Sequence, residues 1–366
     1  MSAAGERARE AASKLALLRD CLATTGAGAI RLRGVDWFAW VTAGGSSAVL
    51  QAADAGVAEV LVTQEEAVVL TDEIELARLR EEEIPAGFTF HATPWAQVEL
   101  HERYVLGLAG ERTVLSDRPH GAEQALPATL RQRRMVLTPS EQQRYRELGR
   151  EAAEAMTATL RRARPEWTEY ELAASGAAEL WRRGIHPALI LAAGERRLPL
   201  YRHPTPTHER IGTRAMLVFY ARRHGLYANL TRCVSFAGPG SAPQDQNILM
   251  EVEATGLAAV VPGKSLSAVY HAFAAAYNHA DRQSAMDEHH QGGITGYQAR
   301  ELMATPSTAT ELETGMAFAF NPSFAGLKIE DTFLLGPQGL DNLTLDPQWP
   351  AVTVQGRQRP LWLEVS

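Results

Sequence analysis

Cysteine is almost missing from this chain: of 366 residues, two are cysteines, Cys21 and Cys233. Two thiols make neither a disulfide framework nor a thiolate zinc site, both of which need more ligands. Lysine is nearly as scarce. Lys14, Lys264 and Lys328 stand among 36 basic residues, the rest arginine, so the position of each lysine invites a reason. A basic excess is absent too, because 43 acidic residues leave a formal charge of −7 and a pI near 5.9. That excludes the non-specific nucleic-acid binding which a basic, counterion-displacing face supports. No apolar run approaches the roughly 18–20 residues of a membrane span. The opening MSAAGERAREAASKLALLRD is charged throughout and lacks the apolar core of a signal peptide. A cytoplasmic protein beginning with an amphipathic helix is expected. Neither a Gly-x-Ser-x-Gly elbow nor a phosphate-cradling glycine loop is present, and Gly238-Pro239-Gly240 reads as a turn.

The apolar share of 45% and charged share of 22% are those of a globular chain, and the length suggests two domains. Residues 3–25 carry apolar positions at helical spacing. Strands read at Ile30–Leu32, Glu59–Thr63 and Glu66–Thr71, and a helix at Glu73–Glu83. This alternation predicts a mixed sheet covered by helices. The basic run Arg131–Arg134 marks a boundary, giving domains of 1–134 and 135–366. Beyond it, Pro139 opens a long helix to about Arg162. Thr168 stands three before Glu171, the spacing of a capping box. Pro262-Gly-Lys-Ser265 repeats that arrangement before the helix Leu266–His279, a hint of two similar halves. Strands at Ala215–Ala221, Ala228–Phe236, Met316–Asn321 and Lys328–Leu335 complete an α+β second domain with an antiparallel sheet.

Several segments carry a resemblance. HGLYANLTR (His224–Arg232) is similar to Gly-Tyr-x-x-Asp-x-Thr-Arg, GMAFAFNP (Gly315–Pro322) to Gly-Met-x-x-x-x-Glu-Pro, and IEDTFLL (Ile329–Leu335) to the Ile-Glu-Asp-Thr strand of one family. His203 before a strand and GGITG (Gly292–Gly296) fall in the same order. Over residues 138–345 the chain resembles the aminopeptidase P, prolidase, methionine aminopeptidase and creatinase group. The resemblance implies a mixed α/β creatinase-type N-terminal domain. It also implies a pita-bread domain of two pseudo-symmetric halves and a homodimer, in which Trp37-Phe38-Ala39-Trp40 would either supply aromatic anchors or pack within its own domain.

Active members of that group hold two divalent ions (manganese, cobalt or zinc) with Asp, Asp, His, Glu and Glu. The ions activate a bridging hydroxide and stabilise charge on the attacked carbonyl. Carried over position by position, those ligands fall at Val218, Asn229, Gly293, Asn321 and Glu330, so only Glu330 is retained. One carboxylate cannot hold two dications, and no bound metal is expected. Strand alternation sets Tyr220, Arg222, Tyr227 and Thr231 on the face of Val218 and Asn229, and Lys328 and Thr332 on that of Glu330. Lys328 is expected to pair with Glu330, with Asn229 and Asn321 completing the hydrogen bonding. The residues expected to bind ligand are His203, Tyr220, Asn229, His289, His290, Arg300, Asn321, Lys328 and Glu330; His203, His290 and Glu330 are the candidates for acid–base work. The expected function is binding of a proline-containing peptide or small amide, with little or no metallopeptidase activity. A metal-independent, creatinase-like hydrolase using His203 and Glu330 is one alternative, although the creatinase glutamate position reads Thr231. A non-catalytic protein-recognition module is another, and the histidine cluster could also take a single metal ion.

Overall fold

The computed structural model describes residues 3–110, 112–238 and 240–365. Pro239, and with it the middle of the expected Gly238–Gly240 turn, lies outside them. The chain divides into two compact units. One runs to Arg134 and includes Thr138–Glu141; the other comprises Met135–Leu137 and the chain from Gln142 onward.

The first unit is built on a six-stranded sheet of mixed direction. Its central strand, Ala29–Gly34, pairs antiparallel with Ala55–Val62 and parallel with Val114–Ser116. The helix Ala3–Thr25 runs over the span its apolar spacing predicts. It also accounts for one of the scarce lysines. Lys14, 1% exposed, donates to Glu10 Oε1 at 2.6 Å, Glu141 Oε1 at 2.7 Å and the Trp40 carbonyl at 2.8 Å. A buried ammonium is tolerable because it donates charge-assisted hydrogen bonds to two carboxylates and one more to a carbonyl.

Two expectations fail in this unit. The helix read at Glu73–Glu83 shrinks to Leu76–Arg78 and a π-helical turn, Leu79–Glu83. Asp72 accepts from the N–H groups of Ile74 and Glu75 at 3.0 and 3.1 Å, so a side-chain turn occupies what would be the first helical residues. The second to fail is the dimer anchor, one of the two readings of the aromatic cluster. Trp37 and Trp40 are 4% and 2% exposed and meet edge to face at 5.4 Å. The Arg134 guanidinium lies 4.3 Å over Trp37. They sit in the short helix Val35–Val41, every residue of which is buried, so they pack inside their own unit.

The second unit shows the repeat that the two Pro–Ser/Thr motifs hint at. In the first half the helix Pro139–Arg162 is followed by Glu169–Trp181, capped by Thr168 in a complete capping box with Glu171. In the second half the helix Gln246–Ala258 is followed by Leu266–His279, capped by Ser265. Both cap residues also bridge to an extended segment, Thr168 to Arg210 and Ser265 to Glu311. The capped helices then donate back in the same way: Glu169 and Tyr170 N–H to the Glu209 and Thr207 carbonyls, Leu266 and Ser267 N–H to those of Thr310 and Thr308. Each half adds an antiparallel sheet. His186–Gly194, Arg214–Arg223 and Leu226–Ser235 form one, while Gly292–Thr295, Ala317–Phe320 and Asp331–Gly336 make the centre of the other. The strand expected at Lys328–Leu335 is interrupted at Ile329-Glu330. There the bridge between Thr231 and Glu330, with Thr231 N–H donating to the Glu330 carbonyl at 3.0 Å, joins the two sheets. Among the described residues no helix is long and apolar enough to cross a membrane.

Candidate functional site

Strand register brings the five positions of the implied ligand set onto one face, in two adjacent rows. In the first row Val218 pairs with Thr231, which bridges to Glu330. Asn321 comes next: the pairings Phe320–Asp331 and Ser323–Lys328 flank it, and Ile329 N–H donates to the Pro322 carbonyl, so Asn321 stands opposite Glu330. The second row lies two residues along each strand. Tyr220 pairs with Asn229, whose N–H donates to Thr332 Oγ1 at 2.7 Å. Thr332 pairs with Ala319, and Ala319 with Gly293. A step of two residues keeps side chains on the same side of a sheet.

Glu330 is the centre of the site and is fully buried. Arg300 Nη2 donates to its Oε1 at 2.7 Å, Thr231 Oγ1 donates to its Oε2 at 2.8 Å, and Lys328 Nζ lies 3.2 Å from Oε2. The Lys328–Glu330 pair expected from the sequence is present, but Arg300 is the closer cation. The expected role of the two asparagines fails. Asn229 turns its amide to Thr295 Oγ1 at 3.1 Å and leaves Oδ1 without a partner. Asn321 has no hydrogen-bond partner for either side-chain atom. Thr231 and Arg300 reach the carboxylate first and fill both of its oxygens. Burial alone would raise the Glu330 pKa; Lys328, Arg300 and the Arg300 and Thr231 hydrogen bonds overcome it and hold the carboxyl at about 2.

Three imidazoles gather beside this cluster. His289 Nε2 is 3.1 Å from His203 Nε2, and ring nitrogens of His203, His289 and His290 all lie within 4.8 Å of one another. His203 is exposed, His290 half-buried and His289 buried. Burial, then Lys328 and the neighbouring imidazoles, push His289 down to about 2. Burial, then Arg300, His203 and Lys328, bring His290 to about 4. His203 is lowered as well, by burial first and then by Lys328. All three are therefore neutral at pH 7. Across the cluster the Arg300 guanidinium stacks over Tyr220 at 5.4 Å, and burial with the Glu330 charge raises the Tyr220 hydroxyl to about 12. An open hollow of about 610 Å³ lies elsewhere in this unit, against Arg162, Pro165 and Trp167.

The neutral imidazoles make stability depend on pH. A native state that keeps His289 unprotonated below its ordinary pKa binds fewer protons than the unfolded chain, so stability falls as pH drops below about 6.5. For this one group the loss from pH 7 to pH 5 is about 2 kcal/mol. Urea unfolding at both pH values is expected to show a drop smaller by that amount in His289→Asn; equal drops would refute the assignment.

The donor set does not fit a dinuclear centre. Val218 is an apolar core residue, Asn229 and Asn321 are uncharged, and both oxygens of Glu330 are engaged. Gly293 is closed to any side chain: a Cβ there would lie 2.1 Å from the Leu302 carbonyl oxygen and 2.9 Å from the Ala304 nitrogen.

Residues 143–337, over half of the chain, match the model of metallopeptidase family M24, and the chain belongs to that family. No curated protein matches the sequence. Among solved structures, the prolidase from Pyrococcus horikoshii OT3 is 18% identical with a TM-score of 0.77, over 91% of this chain and 98% of that one. The Xaa-Pro dipeptidase from Bacillus anthracis is 18% identical with a TM-score of 0.78, over 97% and 100%. The N-terminal domain of the FACT complex subunit SPT16 from Cicer arietinum is 13% identical with a TM-score of 0.69, over 92% and 95%. The prolidase-type resemblance and the pita-bread fold expected from the sequence are borne out.

Proposed function

We propose that this M24 chain, Xaa-Pro peptidase-like in family and fold, binds a proline-containing peptide or small amide in its cleft without dinuclear metal hydrolysis. One observation carries the reading: the retained glutamate presents its two oxygens to Arg300, Lys328 and Thr231. Positive charge that relatives of this type draw from metal is supplied here by side chains. The imidazoles of His203, His289 and His290 are close enough to take one divalent ion, but Lys328 and Arg300 face them and oppose a further cation. Glu330 is ionised and fully engaged, so it is not available as a general acid. That disfavours the creatinase-like alternative. A recognition module remains the second reading; it predicts partner capture with no amide turnover.

Each metal bound by the native state would stabilise it by mass action, about 2.7 kcal/mol at a hundredfold excess over its Kd. Manganese at micromolar concentration is therefore expected to leave the melting temperature unchanged, and Xaa-Pro dipeptides to stay intact in its presence. A Tm rise of several degrees, or turnover that chelator abolishes, would overturn the reading.

A further inference from the structure

One edge of the six-stranded sheet in the first unit is left open. Among the described residues, the strand Thr89–Thr93 ends the strand order and pairs only with Ala67–Asp72, parallel and in unbroken register. An edge strand presents unpaired N–H and C=O groups, and proteins blunt such edges with charges, prolines, bulges or extreme shortness. The opposite edge strand, Gln124–Ala125, is two residues long. Thr89–Thr93 uses none of these devices: TFHAT holds no acid, lysine, arginine or proline and has no bulge.

A hollow of about 480 Å³ lies between this strand and the helix Glu99–Ala109. His91, Ala92 and Pro94 line it on the strand side, and Leu100, Tyr104 and Leu108 on the helix side. The His91 and Tyr104 rings stack at 3.7 Å and join the two walls. Gly107 also lines it, although glycine within a helix costs stability relative to alanine. Nothing in the fold asks for that glycine, since a Cβ there would meet no atom within 4 Å. Its missing side chain keeps the hollow open. Trp95 and Leu106, each next in sequence to a lining residue, are exposed as well. Arg103 is the one Arg, Lys, Asp or Glu in the lining, and among the described residues it has no ion pair or side-chain hydrogen bond. The acids nearby do not answer it. Glu102 is held by Arg31 at 2.7 and 2.9 Å, while Glu66, whose charge reaches Tyr104, does not line the hollow.

We propose that this groove takes an extended peptide segment of another protein, added as a strand beside Thr89–Thr93, with an apolar side chain in the hollow and an acidic residue at Arg103. An extended chain satisfies the backbone of an open edge while its alternate side chains fill a neighbouring pocket. Side chains two apart share a face, so the pattern such a partner carries is apolar-x-acidic. A small ligand would fill the hollow but leave the strand edge unpaired. A second copy docking by two-fold symmetry sets the same lining against itself, and that lining supplies Arg103 with no acid. The inference concerns the first unit and stands apart from the reading of the cleft.

The test is to pan a library of random nonapeptides displayed on phage against the full chain, then to measure the selected peptides by fluorescence polarisation at pH 7. Selected sequences are expected to share an aliphatic or aromatic residue two positions from Asp or Glu. Gly107→Leu, which fills the hollow, and Arg103→Glu should each weaken binding by about tenfold with the circular dichroism spectrum unchanged. N-methylation along the peptide should abolish binding at alternate residues only, because alternate N–H groups face the strand. Arg103→Glu and the N-methyl scan decide the matter if the leucine disturbs the helix. Selection of no peptide, or only of peptides that Gly107→Leu and Arg103→Glu leave unaffected, would overturn the proposal. Tolerance of N-methylation at every position would show that side chains alone are held and would refute strand addition. A dimer in light scattering that Gly107→Leu breaks apart would assign the edge to a second copy instead.

Discussion

Replacing Glu330 by Gln is expected to destabilise the second unit by about 3–5 kcal/mol, the usual range for stranding a buried charge. The reason lies in how charge is shared. Glu330 is fully buried and serves as the counterion of both Arg300, at 2.7 Å, and Lys328, at 3.2 Å. A neutral amide would leave two buried cations facing each other with nothing between them. Lys328→Met is milder, about 1–2 kcal/mol, because the carboxylate keeps Arg300 and the Thr231 hydroxyl. This order is the reverse of what an isolated Lys–Glu pair would give, where loss of the lysine strands the acid. Adding Lys328→Met to Glu330→Gln should restore part of the loss, since one of the two stranded cations goes with it. Urea unfolding of the three variants at neutral pH decides the matter. A Glu330→Gln protein as stable as the parent would show that the carboxylate is not the shared counterion. Acid offers an independent check. The folded pKa near 2 lies below the unfolded value near 4.5, so the stabilisation is complete above that higher value and is lost as pH falls toward 2.

Local signals in the sequence were dependable where the structure is local. The Thr168–Glu171 capping box, the helix from Leu266 and the strand alternation around Asn229 depend on neighbours within a few residues, and all appear as read. The cleft face was legible because a period of two is enough to sort side chains: Val218, Tyr220 and Arg222 stand opposite Thr231, Asn229 and Tyr227. Partnerships across the fold were not legible. Arg300 and Glu330 are thirty positions apart in different segments, and no periodicity joins them. No local pattern marks the helix Gln246–Ala258, because the polar and small residues in QNILMEVEATGLA blur its apolar face; its burial comes from tertiary packing. At Glu73 the composition favours helix, yet one Asp72 side chain diverts the first turn. The tryptophans near residue 40 carry no mark in sequence that separates an interface anchor from a core filler.

Arg359→Met is expected to be at least as damaging as the change at Glu330, about 3–5 kcal/mol, although the residue contacts no part of the cleft. Arg359 is fully buried near the C-terminus and grips Glu253 with two hydrogen bonds of 2.6 Å. Its Nη2 also donates to Asp331 Oδ2 at 2.8 Å, while Arg232 Nη2 donates to Asp331 Oδ1 at 2.6 Å. Two arginines therefore balance two acids in an interior chain of ion pairs. It joins the strand Leu226–Ser235, the strand Asp331–Gly336, the helix Gln246–Ala258 and the hairpin strand Arg357–Pro360. Asp331 immediately follows Glu330, and Arg232 also donates to the Glu330 carbonyl at 3.1 Å, so this chain fixes the backbone beneath the cleft glutamate. Removing Arg359 leaves Glu253 buried with no cation of its own. Removing Glu253 together with it, as Glu253→Met and Arg359→Met, takes away the stranded charge and should cost less than Arg359→Met alone, because well-packed apolar groups can replace a buried pair at little loss. Chemical unfolding of the two single variants and the double variant measures that coupling. Losses that simply add would mean that the two side chains act independently, and the interior ion-pair chain would then not be what holds the glutamate in place.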